Sequence, residues 1–155
     1  MKKVLLALSL LCAATVPTTT QCGLFDTAIS YLQNNGADLL KKGVQYIWNN
    51  SDKIFDTVKT VGGPLFEKAK NLLLGETKKE VEKEQEEITK KAKEIIATTP
   101  GLTKSEQDAI LKEAQAIATR NKAELEKTAL QSIEQKRAAI KQATYDKYGK
   151  GTPIN

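Results

Sequence analysis

From Glu76 to Lys147 the chain runs as two long stretches rich in Lys, Glu and Ala, interrupted once, at Thr98-Thr99-Pro100-Gly101. Neither stretch contains an internal proline or glycine, and residues of these types lose little side-chain freedom in a helix, so each reads as one long helix. Pro100 cannot continue a helix, and Gly101 has the backbone freedom that a helix stop uses. Thr103 and Glu106 then stand at the spacing at which a hydroxyl and a carboxylate satisfy each other's backbone amides at a helix start. A helical hairpin over residues 76–148, with its turn at 98–103, follows from this pattern. Its first arm carries Val81, Ile88 and Ile95 seven residues apart, a coiled-coil-like stripe with Ala92 between them. The second arm, Lys104 to about Lys147, shows Ile110, Ala114, Ile117, Leu125, Ile133 and Ile140 near one drifting face. At ~1.5 Å per residue it would reach roughly 65 Å if unbroken, so the hairpin is expected to be extended.

The preceding region has a different chemistry. Phe25, Tyr31, Tyr46, Trp48, Phe55 and Phe66 place most of the aromatic residues before Gly75, and only Tyr145 and Tyr148 follow it. Apolar residues recur at helical spacing through Leu24–Leu32, again through Ala37–Trp48, then through Ile54–Val61 and Leu65–Leu73. Asn34-Asn35-Gly36, Asn49-Asn50-Ser51-Asp52 and Gly62-Gly63-Pro64 separate these runs and are expected to break the helix, with Pro64 opening the last one. The fold class is therefore all-α. Residues 22–75 are expected to form a small head of short amphipathic helices, and residues 149–155 a flexible tail.

Met1-Lys2-Lys3 is followed by an apolar run from Val4 to Ala14, the build of a secretory signal, with cleavage expected between residues 14 and 21. The run is too short to span a bilayer, which takes about 20 residues. Export places the chain in a secreted or periplasmic setting, with membrane association as the variant. Removing the signal with Cys12 leaves Cys22 as the one cysteine and no partner for an intramolecular disulfide. A cysteine just past a signal, followed by Gly23 and a new helix, resembles the start of a bacterial lipoprotein; that resemblance implies lipidation at Cys22.

The chain contains no histidine, the side chain most used for proton transfer near neutral pH and for zinc. Carboxylates such as Glu86-Glu87, or Asp26 with Asp56, suit a solvated charged face better than an acid/base pair, which needs a cleft to shift its pKa. No phosphate loop, zinc spacing or calcium loop is present, so no catalytic residue, cofactor or metal is expected. The net charge of +5 is spread among interspersed acidic groups, which does not form the concentrated basic field of a nucleic-acid binder. Asn49-Asn50-Ser51 matches a glycosylation acceptor and reads more simply as a polar turn.

The expected function is binding without catalysis, to a protein or to a lipid surface, with the hairpin as the route to any homo-oligomer. Leu24, Phe25, Ile29, Leu32, Trp48, Phe55 and Phe66 form the candidate face: core if they pack inward, a membrane or partner surface if they do not. A pore-forming or lipid-binding protein is the first alternative. An exported holdase-like chaperone is the second, since the charged hairpin resembles the arms of the trimeric periplasmic chaperones, although it lacks a β-rich segment for their trimer core.

Overall fold

The structure, a computed structural model, describes residues 21–56, 58 and 63–149, without the side chains of residues 21, 22 and 63. The expected export signal up to Thr20, and the expected tail beyond Gly149, lie outside the described residues. Among the described residues the protein is all-α, with no strand. The described residues form three helices: α1 (Gln21–Phe55), α2 (Gly63–Thr98) and α3 (Lys104–Tyr148). These partition into two compact units, one of residues 21–37 with 85–118, the other of described residues within 38–84 with 119–149.

The first unit holds the hairpin turn. Ala28 and Leu32 of α1, Ile88, Ala92 and Ile95 of α2, and Ile110, Ala114 and Ile117 of α3 are buried in it. Gln33 Nε2 donates to Glu113 Oε1 at 2.9 Å, and Gly36 lies against Ile117, so α1 and α3 pair here in the same chain direction, with α2 antiparallel to both. Gly101 adopts φ 90°, the left-handed conformation that closes the end of α2 without a Cβ penalty. The capping box forms as its spacing implies. The Thr103 amide and hydroxyl donate to Glu106 Oε2 at 2.7 and 2.8 Å, and the Glu106 amide donates to Thr103 Oγ1 at 3.3 Å.

The bonds from Thr103, its backbone amide first and then its hydroxyl, hold the Glu106 carboxyl below its ordinary value of 4.5. A carboxylate with a lowered folded-state pKa contributes stability above its unfolded value, and that contribution is lost as the pH falls through the lowered one. Amide exchange in residues 104–108, taken relative to the unfolded chain at the same pH, should therefore be slow at neutral pH and accelerate below about pH 4.5. Thr103→Ala should accelerate it at every pH, by the loss of about 1 kcal/mol of cap. Equal rates in Thr103→Ala and the parent would show that the cap holds nothing.

The second unit has an aromatic centre. The Phe55 and Phe66 rings lie 5.4 Å apart, tilted by 54°, and the Arg137 guanidinium sits 5.4 Å over the Phe66 ring. Around them pack Ile47, Val58, Ala69, Leu73 and Val81 from α1, the connection and α2, with Leu125, Ala129, Ile133 and Ile140 from α3. Tyr46 of α1 donates to Glu76 of α2 at 2.9 Å, and Lys79 bonds the other carboxylate oxygen at 2.7 Å. Lys79, and secondarily the Tyr46 hydroxyl, lower the Glu76 pKa; the same carboxylate raises those of Tyr46 and Lys79.

Two of the expected helix breaks do not occur, because their residues make tertiary contacts rather than turns. Gly36 continues α1 and is buried against Ile117, and Asn35 Nδ2 returns to the Tyr31 carbonyl at 2.8 Å within the helix. At 49–52 the helix also continues: Ser51 is wholly buried and accepts a hydrogen bond from Ser132, and Asp52 pairs with Lys136. The short helices expected at 24–32 and 37–48 are thus parts of one 35-residue helix. Nor does Gly75 mark a boundary, since α2 runs through it and the residue is exposed. The turn at 98–103 stands where expected, and Pro64 is the second residue of α2. The separate helix expected over Ile54–Val61 does not form: Ile54 and Phe55 end α1, and Val61 and Gly62 lie outside the described residues.

The stripe on α2 has a longer spacing than seven. Val81, Ile88 and Ile95 are all buried, but so are Phe66, Thr77, Ile88 and Thr99, and equally Leu73, Glu84 and Ile95, each set eleven residues apart. On α3, Ile110, Asn121 and Ser132 repeat the same interval. Eleven residues make three turns at 3.67 residues per turn, close to the pitch of a straight α-helix.

Candidate functional site

The eleven-residue rows admit polar side chains into the second unit, and these form its most unusual chemistry. Glu84 of α2 and Asn121 of α3 are 3% and 1% exposed, and Asn121 Nδ2 donates to Glu84 Oε2 at 3.4 Å. Opposite them stands Gly43 of α1. A Cβ there would overlap Glu84 Oε1 and come within 2.9 Å of Leu125 Cδ2, so the glycine leaves the notch that the carboxylate occupies. Two to three turns along, Ser132 of α3 donates to Ser51 of α1, both with no exposure, and the Lys136–Asp52 pair closes the edge of that layer. Thr77 and Thr128 are also buried and turn their hydroxyls back to the carbonyls of Leu73 and Glu124, each at 2.8 Å.

These groups have a positional role. Burying a carboxylate, an amide and hydroxyls is favourable only while each faces its partner, so a slip of one helix past another would bury polar groups against apolar ones. Apolar Leu and Ile tolerate such slips far better. The Glu84–Asn121 and Ser51–Ser132 layers thus specify which residues of the three helices in this unit stand level. Sequence reasoning missed them, although the signal was present: Glu84 falls midway between Leu73 and Ile95 in one row, and Asn121 midway between Ile110 and Ser132 in another.

The expected face divides between the units. Leu24, Phe25, Ile29 and Leu32 belong to the first, where Leu32 is fully buried and the other three are half-buried. Trp48, Phe55 and Phe66 belong to the second, where both phenylalanines are core and Trp48 is half-buried. The structure brings Phe55 and Phe66 together, and of the seven residues three are buried and four half-buried. The lipidation expected at Cys22 concerns a side chain outside the described residues.

The carboxylates weighed as acid/base pairs lie apart from the polar layers: Asp26, Asp56 and Glu86 are exposed and Glu87 half-buried. Among the described residues no group of three or more Asp, Glu, Cys or His side chains is placed to hold a metal ion. None of the described helices is long and apolar enough to cross a membrane. No protein-family model, curated protein or solved structure matches this chain.

Proposed function

We propose that this chain is an exported, non-enzymatic helical protein that works by binding another protein. Export rests on the basic start and apolar run of residues 1–14. The observation that carries the binding reading is on α2: Leu65 and Leu72, two turns apart on one side of the helix, are 62% and 53% exposed while Phe66 and Leu73 beside them are buried. A pair of exposed leucines at this interval, on a helix whose inward face is already satisfied, is the kind of anchor that a partner helix covers. The polar layers suit such a role, because they hold α2 at a fixed rotation and keep Leu65 and Leu72 turned outward.

The test separates protein from lipid. The protein processed after its signal is floated with anionic and with neutral liposomes, with dye release from the same vesicles, and its mass in solution is measured alongside. The expected result is no flotation and no leakage. Capture of partners from an extracytoplasmic extract should then depend on Leu65 and Leu72, being lost in Leu65→Ser/Leu72→Ser while helix content stays the same. Flotation with a blue shift of Trp48 fluorescence and dye release would replace this reading with the membrane-active one. Binding without release would make the protein a peripheral lipid binder.

A further inference from the structure

We infer that Asn35 is a site of spontaneous modification that the folded first unit holds shut: once α1 lifts from α3 there, the Asn35 amide is lost to attack by the backbone, and the contact cannot re-form. The inference is independent of what the protein binds. Asn35-Gly36 is the one Asn–Gly pair in the chain. Such a pair is the most prone to this reaction, because glycine has no side chain to hinder its own nitrogen and its backbone turns freely. The Gly36 nitrogen attacks the side-chain carbonyl carbon of Asn35. A new C–N bond forms, ammonia leaves with the proton of the Gly36 amide, and a cyclic imide results. Water then opens the imide at either carbonyl. One opening gives aspartate in an ordinary chain; the other gives isoaspartate, which routes the backbone through the side chain and lengthens it by a methylene.

The fold blocks the first step in three ways. Both residues lie inside α1, where helical backbone angles hold a nitrogen away from the preceding side-chain carbon and direct its N–H along the helix. Asn35 Nδ2 donates to the Tyr31 carbonyl at 2.8 Å, which anchors the side chain on the turn before it. Gly36 is buried against Ile117, so its backbone leaves helical angles only when α1 moves off α3. The same close approach makes the reaction one-way. A Cβ on Gly36 would stand 2.4 Å from Ile117 Cγ2, and a place without room for a Cβ has none for an added backbone methylene. The longer chain also shifts residues 21–34 against the rest of α1, so Gln33 no longer meets Glu113 while Gly36 meets Ile117.

To test this, the intact chain is held at mildly alkaline pH with and without urea and then digested, and the conversion and linkage at Asn35 are read by mass spectrometry. Because only the opened state reacts, the folded protein should convert about a hundredfold or more slowly than the urea-unfolded chain. Ile117→Ala, which removes the side chain packed on Gly36, should raise the folded-state rate about tenfold. Refolding of the product gives a second measurement that needs no core variant. The isoaspartyl protein, formed in urea and returned to native buffer, should regain less helix than the parent. Asn35→Asp carries the same new charge in an ordinary chain and should refold fully. Equal conversion with and without urea overturns the inference, as does an isoaspartyl protein that recovers all of its helix.

Discussion

Leu125→Ala should lower the stability of the folded protein by about 3 kcal/mol, read as a fall in the urea midpoint of the helical signal at unchanged slope. Leu125 is fully buried, and its Cδ2 lies 2.9 Å from where a Cβ on Gly43 of α1 would stand. The cavity left by truncation has little to fill it, because the nearest residue of α1 has no side chain. The same geometry predicts a coupling. Gly43→Ala alone adds a methyl group that must displace both the Glu84 carboxylate and Leu125, and should cost about 2 kcal/mol despite the higher helix propensity of alanine. In the double variant the new methyl group enters space that Leu125 has vacated, so the combined loss should fall short of the sum by about 1 kcal/mol. Strict additivity would mean that the Glu84 carboxylate alone decides the cost at Gly43.

A second large effect is expected at Gly36, and its sign is opposite to that at Gly75. Both are glycines inside long helices, where exchange for alanine ordinarily gains about 1 kcal/mol. At Gly75 a Cβ meets nothing within 4 Å, so Gly75→Ala should raise the thermal midpoint. At Gly36 a Cβ would overlap the Cγ2 of Ile117, a β-branched side chain held in one rotamer by its helix. Gly36→Ala should therefore lose about 2 kcal/mol net, and Ile117→Val should not relieve it, since valine keeps the γ-branch in the same place. A stabilised Gly36→Ala protein would disprove the close approach of α1 and α3 in the first unit.

These two glycines also show what the sequence could and could not convey. Asn34-Asn35-Gly36 has the composition of a turn, and local propensity favours a break there; the helix persists because its glycine serves a neighbouring helix instead of its own backbone. Asn49-Asn50-Ser51-Asp52 misleads in the same way, with Ser51 and Asp52 spoken for by Ser132 and Lys136 on α3. By contrast, Pro100-Gly101 and Thr103/Glu106 act through bonds among near neighbours, so the hairpin turn was legible to within a residue. The all-α class, resting on long periodic segments, was legible for the same reason. The Glu84–Asn121 layer was not, because a charged residue among many reads as surface until the row it belongs to is traced at eleven residues.

The parallel course of α1 and α3 in the first unit has a directional consequence. Gln33 meets Glu113 and Gly36 meets Ile117, so counting back at equal rise brings the opening turn of α1 level with the opening turn of α3. Anything attached to the chain just ahead of α1, whether an acyl group or an uncleaved leader, would therefore enter the unit at the end that carries the Thr103 cap and the Pro100–Gly101 bend.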